Sequence, residues 1–149
     1  MTNAWRPKNP DYESVVRQSF ERQRMMATLG VSLVRLAPGE ADLSAPYAPE
    51  FGQQNGYWHA GAVASLADSA NGYAAFSLAP PDTDVLAVEF KINLLAPARG
   101  AVFLAQGRVL RPGRTLTVCL AEVFSIEGSA RTAIATMLST LIVRAGSRK

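Results

Sequence analysis

One cysteine and one histidine are all that this chain of 149 residues contains of either type. Cys119 alone can form no intrachain disulfide and no cysteine-based metal cluster, and His59 alone leaves too few ligands for a zinc site. No Ser-His-Asp set and no glycine-rich phosphate loop is present. Long apolar runs are missing as well. No charge-free stretch is long enough to span a bilayer, and the opening MTNAWRPKNPDYES has no apolar signal core. Charge is sparse, at 18% of residues, and the formal +3 is scattered without a dense basic run, which argues against a nucleic-acid partner. These absences predict a cytoplasmic protein without metal, resident cofactor, nucleic-acid partner or membrane attachment. Cys119 itself lies in an apolar strand pattern and reads as a small buried hydrophobe rather than a nucleophile.

What the chain does hold is apolar material, 48% of residues, enough for one domain with its own core across 1–149. Its centre of gravity is QQNGYWHAGAVASLADSANGYAAFSL, from Gln53 to Leu78. A helix over 59–79 would be apolar on nearly every side, and such a helix belongs inside a protein. One carboxylate, Asp68, sits in its middle. Burying it costs several kcal/mol unless it is paired, hydrogen-bonded or protonated, so its retention points to chemistry. The first turn, His59-Ala60-Gly61, is small. Helix N-terminal N–H groups lack internal partners and carry partial positive charge, so a substrate oxygen can approach them here. Nine residues separate the two features, roughly 13 Å along a helix. Two such helices packed antiparallel across a two-fold axis would bring each N-terminus near the other's acid, which predicts a dimer with shared sites.

The rest of the chain reads as follows. Residues 1–9 form a loose arm. One helix spans 10–29, started by Asn9-Pro10-Asp11 and ended by Gly30, with Tyr12, Val15, Val16, Phe20, Gln23 and Met26 or Ala27 at helical spacing. Strands over 31–36 and 41–45 meet at Pro38-Gly39. Pro80-Pro81-Asp82 stops the central helix. Period-two alternation marks a strand over 86–95. Ala98-Arg99-Gly100 turns into a strand over 101–111, Pro112-Gly113 into one over 114–126, and Glu127-Gly128 into one over 130–144. One helix followed by consecutive hairpins gives an α+β fold, an antiparallel sheet wrapped around the central helix with an extra helix at the N-terminus.

Gln53, Gly56, His59, Ala60 and Gly61, followed by Leu66-Ala67-Asp68-Ser69, resemble the signature of the hotdog-fold acyl-CoA thioesterases of the phenylacetate-degradation (PaaI-like) type. The stretch VLAVEFKINLLAPARG looks like that family's next strand, and the resemblance covers most of the chain after Gly30. It implies a hotdog fold and hydrolysis of acyl-CoA, with an aromatic or medium-chain acyl group, to a free acid and coenzyme A. By the same resemblance Asp68 acts as general base or as nucleophile. Ala60 stands where the family more often has glycine, yet keeps the N–H that would hold the thioester oxygen. Gln53 stands where asparagine is frequent and would position water, with Asn55 near enough to substitute. His59 would orient the loop or the thioester. Gly61, Trp58 and Tyr73 flank the substrate region, and Lys91, Arg99, Arg111 and Arg114 are candidates for the coenzyme's phosphates. Ala87 falls near a position where some relatives carry a Ser or Thr hydroxyl, leaving the second partner of the water open. Homodimers with shared sites, and homotetramers, are expected. A hotdog dehydratase acting on hydroxyacyl thioesters and a non-catalytic acyl-CoA sensor are the alternatives.

Overall fold

The computed structural model describes residues 5–146. Asn9 turns the chain into the first helix: its Oδ1 accepts the Asp11 N–H at 2.9 Å and its carbonyl accepts the Tyr12 N–H at 3.2 Å. Helix α1 then runs Tyr12–Glu21. It does not continue to residue 29, as the spacing predicts. The Gln23 N–H closes onto Phe20 O at 3.0 Å, the Gln23 backbone opens to φ −81°, ψ 97°, and a separate short helix α2 follows over Arg24–Thr28. The predicted loose arm also needs correction. Residues 1–4 lie outside the described residues, but Trp5 packs half-buried against the core. Its ring lies over Gly39, where an added Cβ would come within 2.4 Å of Trp5 Cδ1, so this turn takes glycine for both its φ of +78° and its close neighbour.

Among the described residues six strands form one antiparallel sheet: β1 (Ser32–Ala37), β2 (Glu40–Pro46), β3 (Thr83–Leu94), β4 (Val102–Pro112), β5 (Leu116–Glu127) and β6 (Ala130–Ala145). Their order is β1-β2-β4-β5-β6-β3. The hairpins β1–β2, β4–β5 and β5–β6 follow the turn signals. A β3–β4 hairpin, expected from Ala98-Arg99-Gly100, does not form; β3 pairs with β6 at the far edge. Leu95 N–H binds Ile134 O at 2.8 Å and Ala98 O accepts the Trp58 N–H at 2.9 Å, so the segment after β3 is fastened sideways and crosses to β4 beside β2. This is the hotdog fold, with helix α3 (Ala60–Phe76) as the filling.

α3 ends before the prolines that the sequence marks as its stop. Ser77 is the reason: its hydroxyl donates to Ala74 O at 2.7 Å and accepts the Gly39 N–H at 2.7 Å, which draws the chain out of the helix toward the β1–β2 turn. Small residues let α3 lie almost on the sheet. A Cβ on Gly107 of β4 would stand 2.4 Å from the Ala70 carbonyl carbon. Asn71, fully buried, ties the helix to β6 by donating from Nδ2 to Ser139 Oγ at 2.8 Å.

The sheet is not fully covered. Phe90, Ile92 and Leu94 stand opposite Ser139, Met137 and Ala135 of β6, all buried beneath the helix, so the three share the helix-facing side. Phe90 is nevertheless 46% exposed and Leu94 56%. An edge strand thus leaves apolar side chains bare on the inner face.

Candidate active site

The loop before α3 is built by its own backbone. Gln53 N–H binds Tyr57 O at 2.8 Å, Gly56 N–H binds Gln53 O at 3.0 Å, and Gly56 adopts φ +82° to close the turn. His59 has the extended backbone of an N-cap, and its Nδ1 accepts the Gly61 N–H at 2.8 Å. An accepting Nδ1 leaves the ring hydrogen on Nε2. The His59 carbonyl takes the N–H groups of Ala62 and Val63 at 2.9 and 3.1 Å. What remains is Ala60, the first helical residue. Among the described residues its N–H meets no acceptor, and it is exposed at the mouth of a cavity of about 650 Å³. That cavity is lined by Gln53, Tyr57, His59 and Ala60 on one side and by Leu94 to Ala98 and Ile134 on the other.

Gln53 and Trp58 both line this cavity and are also held by contacts of their own. The Gln53 amide oxygen accepts the Asn55 N–H, so this amide stabilises the loop while lining the cavity, and the Asn55 residue is exposed on the turn. Trp58 is only 2% exposed and stacks flat on Phe103 with ring centres 4.4 Å apart, forming a floor rather than a wall. Its indole N–H finds no partner among the described residues.

Asp68 does not open into this cavity. It lies about two turns along α3, in a smaller cavity of about 260 Å³ with Ser19 and Gln23 from the N-terminal helices, Ser69 and Tyr73 from α3, and Val85 to Ala87 from β3. The Asp68 Oδ1 is buried and, among the described residues, has no hydrogen-bond partner. Burial raises the carboxyl's pKa above its ordinary value. Tyr73 is buried against Phe20, edge to face at 5.6 Å; burial raises its pKa too, opposed by a hydrogen bond with Ser19 and by the charge of Arg22. Ser69 donates to Gln23 Oε1 at 3.1 Å rather than to backbone. Gln23 and Ser19 were not singled out for chemistry from the sequence. The only signal was a glutamine in an otherwise apolar helical stripe.

The four basic candidates do not converge. Lys91 is exposed on β3 and donates to Asn93 Oδ1 at 3.0 Å. Arg111 and Arg114 are exposed at the β4–β5 turn. Arg99, at the opposite end of β4, lines a neighbouring cavity of about 550 Å³ that shares Tyr57, Ala96 and Pro97 with the larger one. Cys119 is buried in β5 with its thiol pushed up to about 12 by desolvation, which leaves it unsuited to nucleophilic work. Among the described residues no group of three or more His, Cys, Asp or Glu is placed to hold a metal, and no helix is long and apolar enough to cross a membrane.

A hotdog sheet, a helix opening on a free N–H and a desolvated carboxyl are what the site offers a thioester. Comparison with known proteins agrees. Residues 55–131 match the model of the Thioesterase superfamily, and the chain belongs to that superfamily. A protein of Saccharolobus solfataricus, provisionally named an esterase, is 34% identical over 100 residues, covering 67% of this chain and 71% of its own. The crystal structure of a thioesterase family protein from Silicibacter pomeroyi superposes with a TM-score of 0.89 at 47% identity, over 91% of this chain and 99% of that one. The PaaI protein of the Escherichia coli phenylacetic acid degradation operon shares the fold, with a TM-score of 0.83 at 19% identity over 92% of this chain and 96% of that one.

Proposed function

We propose that this protein hydrolyses acyl-CoA thioesters at sites that two copies of the chain build together. One observation carries the reading. The free Ala60 N–H and the unpartnered Asp68 oxygen lie on one helix but open into different cavities, flanked by opposite ends of β3: Leu94 at the first and Val85 to Ala87 at the second. Antiparallel pairing of β3 with β3 of a second copy would set each Leu94 end beside the other copy's Val85 end. It would also cover Phe90 and Leu94, which the described residues leave exposed on the inner face. Ala60 of one copy then faces Asp68 of the other.

In this arrangement the thioester carbonyl oxygen accepts the Ala60 N–H at the positive end of α3. Asp68, ionised, takes a proton from a water whose oxygen attacks the carbonyl carbon. The C–S bond breaks, the sulfur of coenzyme A regains a proton, and the free acid leaves. Tyr57, Leu94, Leu95 and Ile134 suit an aromatic or medium-length aliphatic acyl group in the larger cavity. Arg99, beside the adjoining cavity, is the basic residue positioned for the coenzyme's phosphates.

The test is release of free coenzyme A from a panel of acyl-CoAs by the wild type, Asp68→Ala and Asp68→Asn. Turnover is expected to fall at least about 10³-fold in both variants. Melting temperatures separate this from unfolding. Because burial raises the folded-state pKa of Asp68, its ionised form weakens the fold as pH rises past the unfolded-chain value, and the cost is complete above the folded one. Asp68→Asn is therefore expected to melt above the wild type at neutral pH and with it at about pH 3. Equal turnover in all three proteins would remove Asp68 from the mechanism. A wild type that binds acyl-CoA tightly and leaves it intact would be a sensor.

A further inference from the structure

The cavity around Asp68 contains a polar residue that the mechanism above has not used. Gln23 sits where α1 breaks from α2, and the break turns its side chain to α3, where its Oε1 accepts the Ser69 hydroxyl at 3.1 Å. With that oxygen engaged, the amide offers the cavity its two Nε2 hydrogens. Few other groups there can donate. Phe76, Val85, Leu86, Ala87 and Leu141 are hydrocarbon, and Ser19 and Tyr73, bonded to one another, keep a single hydroxyl hydrogen between them. Asp84 on β3 offers carboxylate oxygens and has interactions of its own. Asp68 Oδ1, buried and unpartnered, requires something between it and a donor.

We propose that Gln23 is the positioning residue of the Asp68 site: Ser69 fixes its amide, and its N–H group donates to the water that Asp68 deprotonates. A water held in this way gives one hydrogen to Asp68 and accepts one from Gln23. Its second lone pair is left for the carbonyl carbon. The proposal rests on the acyl-CoA hydrolase reading and supplies, from the N-terminal helices, the second partner that Ala87 cannot.

Gln23→Glu tests it with little disturbance, because a carboxylate of the same length still accepts from Ser69 while losing the N–H donors. It also adds a like charge beside Asp68, in a cavity that already holds Tyr73, on which the charge of Arg22 acts, and, from β3, Asp84. In the full-length protein kcat is expected to fall about ten- to a hundred-fold, with KM held within about threefold. The acid limb of the kcat–pH profile should move to higher pH, since a nearby anion and a lost donor both disfavour ionised Asp68. A purely structural role would not move the split, and Gln23→Met, which adds no charge, separates the lost donor from the added anion in the limb. Gln23→Met, of matching length, and Ser69→Ala are read in the same way and stand in if Gln23→Glu melts early; each should lower kcat with KM unchanged. Wild-type kcat in Gln23→Glu or Gln23→Met, alongside an inactive Asp68→Asn, overturns the Gln23 role alone. An active Asp68→Asn overturns the hydrolase site on which it depends.

Discussion

At residue 60 a proline can remove one hydrogen and little else. Ala60 is the first residue of α3, where proline is well tolerated, and His59 before it already has φ −64° and ψ 140°, the extended backbone that a following proline demands. Ala60→Pro should therefore keep its melting temperature within about 2 °C, yet lose about 10²–10³ in kcat as the oxyanion donor disappears. Retained activity would move the oxyanion site elsewhere. Asp68 and Ala60 could be singled out from sequence because each rests on a local argument, the cost of a buried carboxylate and the free donors of a helix start. Gln23 could not. Its neighbour Ser69 lies 46 residues away, and only the break between α1 and α2 brings the two together. His59 and Gln53 show the opposite limit. Their types suited catalysis, while the structure binds one polar atom of each, His59 Nδ1 and Gln53 Oε1, to the loop's own N–H groups at Gly61 and Asn55.

Among the elements, α3 and β4 approach so closely that a single methyl group decides their fit. Gly107→Ala would drive a Cβ to 2.4–2.8 Å from backbone atoms of Ala70 and Asn71, which cannot rotate away. A loss of about 3 kcal/mol is expected, read as a lower urea midpoint with an unchanged m-value. Full stability would mean that the helix can lift from the sheet. The strands and the central helix were legible because period-two alternation and an all-round apolar helix are local patterns. Their ends were less so, since α3 stops at a hydroxyl of Ser77 shared with Gly39, far upstream. The pairing of β3 was not legible at all. Ala98-Arg99-Gly100 has the composition of a hairpin turn, and only the bonds to Ile134 O and Ala98 O redirect the chain.

For the molecule as a whole, the shared site has a consequence that mixing can reveal. If Ala60 and Asp68 act across the two-fold, Ala60→Pro and Asp68→Asn proteins are each inactive, but a mixed dimer holds one intact site. Equal mixing with exchange of copies should restore about one quarter of wild-type activity, half the dimers carrying half the sites. No recovery, with exchange verified by native mass spectrometry, would place both groups of each site in one copy. The same topology sets an order of assembly. β3 is synthesised before β4, β5 and β6, yet among the described residues its one strand neighbour is β6, the last of them. While the ribosome makes the second half, an apolar strand must wait without a sheet to join. The interval between β3 and β6 is thus the nascent chain's period of greatest exposure to aggregation, and its length is dictated by the crossover.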